Sequence, residues 1–176
     1  DEEEAVALAN GTDYGLVAQL THGAPADVIA TADEDTMAAA AAGGLISGDA
    51  TPFATNMLRI ATPPDNPADV ESLDDLARAD VTAVVCAPVV PCGSATRTVE
   101  DAAGIEIAAV SEESSVTDVL TKVTSGEADA GLVYVTDVAR AGAAVRGIAF
   151  PEAATAVNPY PIAVVGDSDH PDLAAR

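Results

Sequence analysis

The 176-residue chain carries 29 Asp and Glu against 7 Lys and Arg, a formal charge of −22. Nucleic acids and anionic membrane surfaces are bound through Lys and Arg, so this balance excludes both as partners. Hydrophobic residues make up 49% of the chain, which excludes a disordered acidic tail, and with 3% aromatics and no Trp the core must be built from Ala, Val, Leu and Ile.

The length suits one compact domain or two small lobes. An acidic chain with a single lysine, Lys122, points to a salt-rich setting or a GC-rich genome. No run approaches the roughly 18 apolar residues of a membrane span. Asp1–Glu4 leads directly into a strand-like run, Ala5–Ala9, and Pro171–Arg176 reads as the first turn of a helix. The chain is therefore expected to lack both ends of a longer protein.

After that strand, Asn10-Gly11-Thr12-Asp13 is a turn with helix-capping residues, and Leu16, Val17 and Leu20 follow at helical spacing. Gly23 to Asp27 breaks the helix ahead of a buried strand, Val28–Thr31. Ala32 to Asp35 caps a helix from Thr36 to Ala42 that Gly43-Gly44 stops. Met57–Ala61 is the next strand, residues 63–67 a proline loop, and Ser72–Leu76 a short capped helix. Val81–Cys86 is a β-branched strand, and a helix starts at Gly93. Ile105–Val110 is a strand, and Ser115 opens a helix ending at Gly126. Ala130–Val135 is a buried strand, residues from Asp137 to Ala144 a helix, and Ile148–Phe150 and Ile162–Val165 the closing strands. Strands alternating with short helices define an α/β fold with a mostly parallel sheet, whose ligands sit beyond the carboxyl ends of the strands. Three loops fit that position: Gly11-Thr12, Pro91–Ser94 and Ser114–Val116.

Catalytic patterns are missing. His22 and His170 lie in polar loop contexts and read as surface histidines without zinc-ligand spacing. There is no nucleophile elbow, Walker loop or dinucleotide fingerprint. Glu112-Glu113 and Asp74-Asp75 are the pairs that 29 acids produce by chance and read as solvated caps, while Thr136-Asp137 reads as a helix start. Cys86 and Cys92 are a redox pair, or unused, in a reducing compartment, and a loop-closing disulfide outside it.

Several segments together resemble the molybdate-binding receptors of ABC importers (the ModA type). They are Gln19–Val28, Ala32-Asp33, Val90–Ala95, Gly126–Tyr134, Phe150–Glu152 and Tyr160–Val164, in the order and spacing of that family. The resemblance implies a two-lobed type 2 periplasmic-binding-protein fold with mixed, mostly parallel sheets. Lobe one would be residues 1–58 with 153–176, and lobe two 59–152. It implies a non-catalytic, monomeric, extracytoplasmic receptor without a cofactor, periplasmic or envelope-attached, with a lipid anchor compatible on the full-length form. The ligand would be molybdate or tungstate, passed to an ABC permease. Another oxyanion such as sulfate, or a sensing or enzymatic domain on the same fold, is the alternative.

In the family the oxyanion is held in the cleft by two hydroxyl side chains, a tyrosine hydroxyl and backbone N–H groups, with no cationic side chain. The first hydroxyl would precede Asp1. For the second, counting back from Leu16 gives Asp13 and counting forward from Gly11 gives Thr12. Thr12 is taken, because a hydroxyl donates where a carboxylate repels. Cys92 and Val116 match the residues giving backbone N–H groups, and Tyr134 matches the tyrosine. In this setting Cys86 and Cys92 are expected to form a disulfide.

Overall fold

The computed structural model describes residues 13–176, with side chains from Gly15 onward. The expected strand Ala5–Ala9 and Thr12 lie outside the described residues. Asp13 opens the first helix, and its side chain is likewise outside them.

In chain order the elements are α1 (Asp13–Thr21), β1 (Val28–Ala30), α2 (Glu34–Ala42), β2 (Ile46–Asn56) and β3 (Leu58–Thr62). After a 3-10 turn (Asp74–Ala77) come β4 (Ala83–Cys86), α3 (Pro91–Ala103), β5 (Ala109–Glu113) and α4 (Val116–Thr124). Next are β6 (Ala130–Tyr134), α5 (Val135–Ala141), β7 (Arg146–Ile148), a 3-10 turn (Pro151–Ala156), β8 (Asn158–Val165) and α6 (Pro171–Ala174).

The chain packs as two units, Asp1–Thr55 with Pro159–Arg176, and Asn56–Asn158. Those changes of unit lie three and six residues outside the expected 58/59 and 152/153. All of β3 pairs within the second unit, and Ala153 and Ala156 of the 3-10 turn enter its core.

In the first unit a three-stranded sheet has the order β1-β8-β2. β1 pairs antiparallel with β8. Leu20 of α1, Met37 and Ala40 of α2, and Ile29, Ala163 and Val165 of the strands form its small core. The Asp33 carboxylate caps α2 by accepting the Thr36 N–H at 2.7 Å. Gly44, at φ +70°, lets the chain turn out of the helix.

The second unit holds a five-stranded mixed sheet of order β5-β4-β6-β3-β7. β4 runs parallel to β5 and β6, while β3 runs antiparallel to β6 and β7. Every residue of β4 and β6 is buried, as strands covered on both faces require. Val99 of α3 and Val119, Leu120 and Val123 of α4 pack against them. Each such aliphatic side chain contributes about 1.5–3 kcal/mol by leaving water.

Several elements differ from the sequence reading, among them β8, which begins four residues before the expected Ile162. β2 was not foreseen, since ten of its eleven residues are partly or fully exposed and it contains Gly48 and Pro52. β5 begins four residues after the expected Ile105, because the Glu100 carboxylate takes the Ile107 N–H at 2.7 Å. β7 covers Arg146–Ile148, and Phe150 leaves the sheet to enter the core ahead of the 3-10 turn.

Candidate functional site

The order β5-β4-β6 places three parallel strands side by side, so their carboxyl ends share one edge of the sheet. Cys86 at the end of β4 is level with Glu113 at the end of β5. Val84 is level with Gly131, and carrying that register forward sets Tyr134 beside Ala87. α3 starts just past β4, and α4 just past β5. Cys92, Val116 and Tyr134 thereby come to the same edge, where ligands of open α/β sheets bind.

At the start of α3, Pro91 has no N–H to offer, while the Gly93 and Ser94 N–H groups both donate to the Val90 carbonyl, at 2.9 and 3.0 Å. The Cys92 N–H meets no acceptor among the described residues. Gly93 is required by contact: a Cβ there would lie 1.9 Å from the Ala87 carbonyl oxygen. A disulfide joins Cys86 to Cys92, with their Cα atoms 5.6 Å apart. It closes so short a loop that its chain-entropy contribution is about 2 kcal/mol.

At the start of α4, Ser115 caps the helix by accepting the Asp118 N–H at 3.2 Å. Val116 and Thr117 follow with N–H groups that meet no acceptor among the described residues. The dipoles of α3 and α4 give this edge positive character without a cation, roughly half a charge per helix end. Behind it, the Lys122 ammonium reaches the Glu113 carboxylate at 2.5 Å, and the Ser111 hydroxyl donates to the same oxygen at 2.7 Å. The Lys122 bond, followed by that of Ser111, holds the Glu113 carboxyl below the usual range.

Tyr134 closes β6 and is 6% exposed. Its N–H donates to the buried Asp137 carboxylate at 3.1 Å, and the Asn158 amide donates to its phenol oxygen at 3.5 Å.

Cys92, Val116 and Tyr134 are therefore assembled on one sheet edge, and Thr12 lies outside the described residues. Asp137 and Asn158 belong to the same neighbourhood and were not read as site residues, while Gly93 was read only as part of the Pro91–Ser94 loop. Gly93 had a signal, since it directly follows Pro91-Cys92 after a strand, whereas Asn158 lies 24 residues from its partner and had none. His22 and His170 are exposed, and no three metal-binding side chains cluster among the described residues.

A strand edge met by helix N-termini is where open α/β sheets bind ligands. The chain belongs to the family described as bacterial extracellular solute-binding protein, whose model matches residues 2–176. Over 161 residues, 92% of this chain, it is 52% identical to the molybdate-binding protein ModA of Mycobacterium tuberculosis H37Rv. It spans 62% of the length of that relative. The fold is similar to that of the periplasmic molybdate-binding protein of Azotobacter vinelandii, with a TM-score of 0.76 and 20% identity over 99% of this chain and 79% of that one. It is also similar to the substrate-binding domain of a putative molybdenum ABC transporter from Clostridium difficile, with a TM-score of 0.74 and 23% identity over 99% of this chain and 78% of that one.

Proposed function

We propose that this chain is the oxyanion-binding part of an extracytoplasmic receptor that takes up molybdate or tungstate and delivers it to an ABC permease. It acts without catalysis and without a cofactor, as a monomer. The observation that carries this reading is the 52% identity to a molybdate-binding protein over a stretch that includes Cys92, Val116 and Tyr134. The gathering of those three residues at one strand edge supports it.

In this reading the Cys92 and Val116 N–H groups, the Tyr134 hydroxyl and the Thr12 hydroxyl donate to the oxygens of a dehydrated dianion. Neutral donors suit such a ligand, because binding then moves no proton. Each hydrogen bond to a charged oxygen is worth about 1.5–3 kcal/mol net, so four support micromolar affinity after the ordering costs.

Thermal unfolding with molybdate, tungstate and sulfate tests the reading. Molybdate at about a hundred times its Kd raises the midpoint by about 5–10 °C, and equal sulfate raises it less. Tyr134→Phe weakens molybdate binding by about ten- to a hundredfold while the unliganded midpoint stays near that of the parent. A clean unfolding transition that neither molybdate nor tungstate moves overturns the proposal.

A further inference from the structure

We propose that the Cys86–Cys92 disulfide and Gly93 are positioning residues for the oxyanion, holding the Cys92 N–H at the sheet edge, and that this role exceeds their part in holding the fold together. The inference rests on the receptor reading above and assigns a new task to its site.

The anchor is rigid. Cys86 ends β4 in register with Glu113, and the Ala87 N–H extends that ladder by donating to the Glu113 carbonyl at 2.8 Å. From Ala87 the chain turns at once, with the Val90 N–H returning to the Ala87 carbonyl at 3.1 Å. The first turn of α3 is then fixed to this anchor at two points. The sulfur bridge ties residue 92 to residue 86, and the Gly93 backbone rests on the Ala87 carbonyl so closely that any Cβ collides with it. The Thr96 hydroxyl donates to the Cys92 carbonyl at 2.9 Å and restrains its other side.

The contrast between helices explains why a covalent tie is used. α2 and α4 are fixed at their starts by Asp33 and Ser115, whose side chains accept a backbone N–H. At α3 the capping position is Val90, which has no side-chain acceptor. α4 keeps its Val116 N–H open beside a side-chain cap, whereas at α3, which has no such cap, the bridge with Gly93 supplies the order that a cap would have given. Preorganised donors bind more tightly because less freedom is lost on binding.

The test replaces both sulfurs, Cys86→Ala with Cys92→Ala, and in a second variant Cys86→Ser alone. Both keep a backbone N–H at residue 92. Molybdate binding is titrated well below each variant's unfolding midpoint, together with hydrogen exchange over residues 88–96. The proposal expects a folded protein that binds molybdate about tenfold or more weakly, with faster exchange in the first turn of α3. Unchanged affinity in a folded variant overturns it and leaves the bridge as a staple. Failure of both variants to fold overturns it as well, since the bridge then serves the fold first. If the parent chain itself binds no molybdate or tungstate, the receptor reading falls, and this inference falls with it.

Discussion

At the scale of single residues, the second unit keeps its polar side chains paired where they help to place the site. Lys122 is the sole lysine, and it is spent on Glu113 rather than left to meet an anion. The ammonium, the Ser111 hydroxyl and the carboxylate tie the last turn of α4 to the end of β5, while the first turn of α4 faces the strand edge. Because Lys122 holds the Glu113 carboxyl below its usual range, the bond stabilises the fold above the unfolded value of 4.5 and loses that contribution as the pH falls through the folded value. Glu113→Gln is expected to cost about 1 kcal/mol at neutral pH. Urea unfolding of parent and variant from neutral to acid checks this. The two curves converge at low pH, and a gap independent of pH contradicts the assignment.

At the scale of elements, the helices approach the sheet through glycine. A Cβ on Gly131 of β6 would lie 2.6 Å from a methyl of Val119 in α4 and 3.1 Å from Val84 of β4. Gly131→Ala therefore displaces α4, and overpacking of this kind costs about 1–3 kcal/mol. Adding Val119→Ala removes the colliding methyl, so the double variant is expected to be more stable than the sum of the two single effects. Strict additivity in denaturant midpoints defeats this account. Elements of this kind were legible in the sequence because burial on both faces leaves a continuous apolar run: Ala130–Tyr134 lies in such a run, as does β4. β2 was illegible for the opposite reason, its exposed residues including Ser47, Gly48, Asp49 and Thr51 as a loop's would. β5 was misplaced because the apolar residues Ile105 and Ile107 lead up to the strand, while the strand itself alternates between half-buried and exposed at an edge. Of the proposed site, Cys92 and Tyr134 were singled out from motifs, whereas the amide of Asn158 and the carboxylate of Asp137 meet Tyr134 through contacts that no local pattern announces.

At the scale of the whole chain, the charge of −22 sets a condition on binding a dianion. A receptor that held its anion with Lys or Arg would lose affinity as salt screened the attraction. In the proposed reading the local donors are neutral and the long-range field is repulsive, so screening removes a penalty instead. Raising ionic strength from about 0.1 M to about 1 M shortens the screening length from about 10 Å to about 3 Å. Hydrogen bonds at a desolvated edge are little affected, while the repulsion from surrounding carboxylates is largely cancelled. The self-repulsion of the folded chain falls by the same screening. Molybdate affinity and the unfolding midpoint are therefore both expected to rise with potassium chloride. Calorimetric titration and thermal unfolding across that range measure the two slopes. An affinity that falls with salt would mean that a cationic side chain reaches the anion, and would overturn the neutral-donor description of the site.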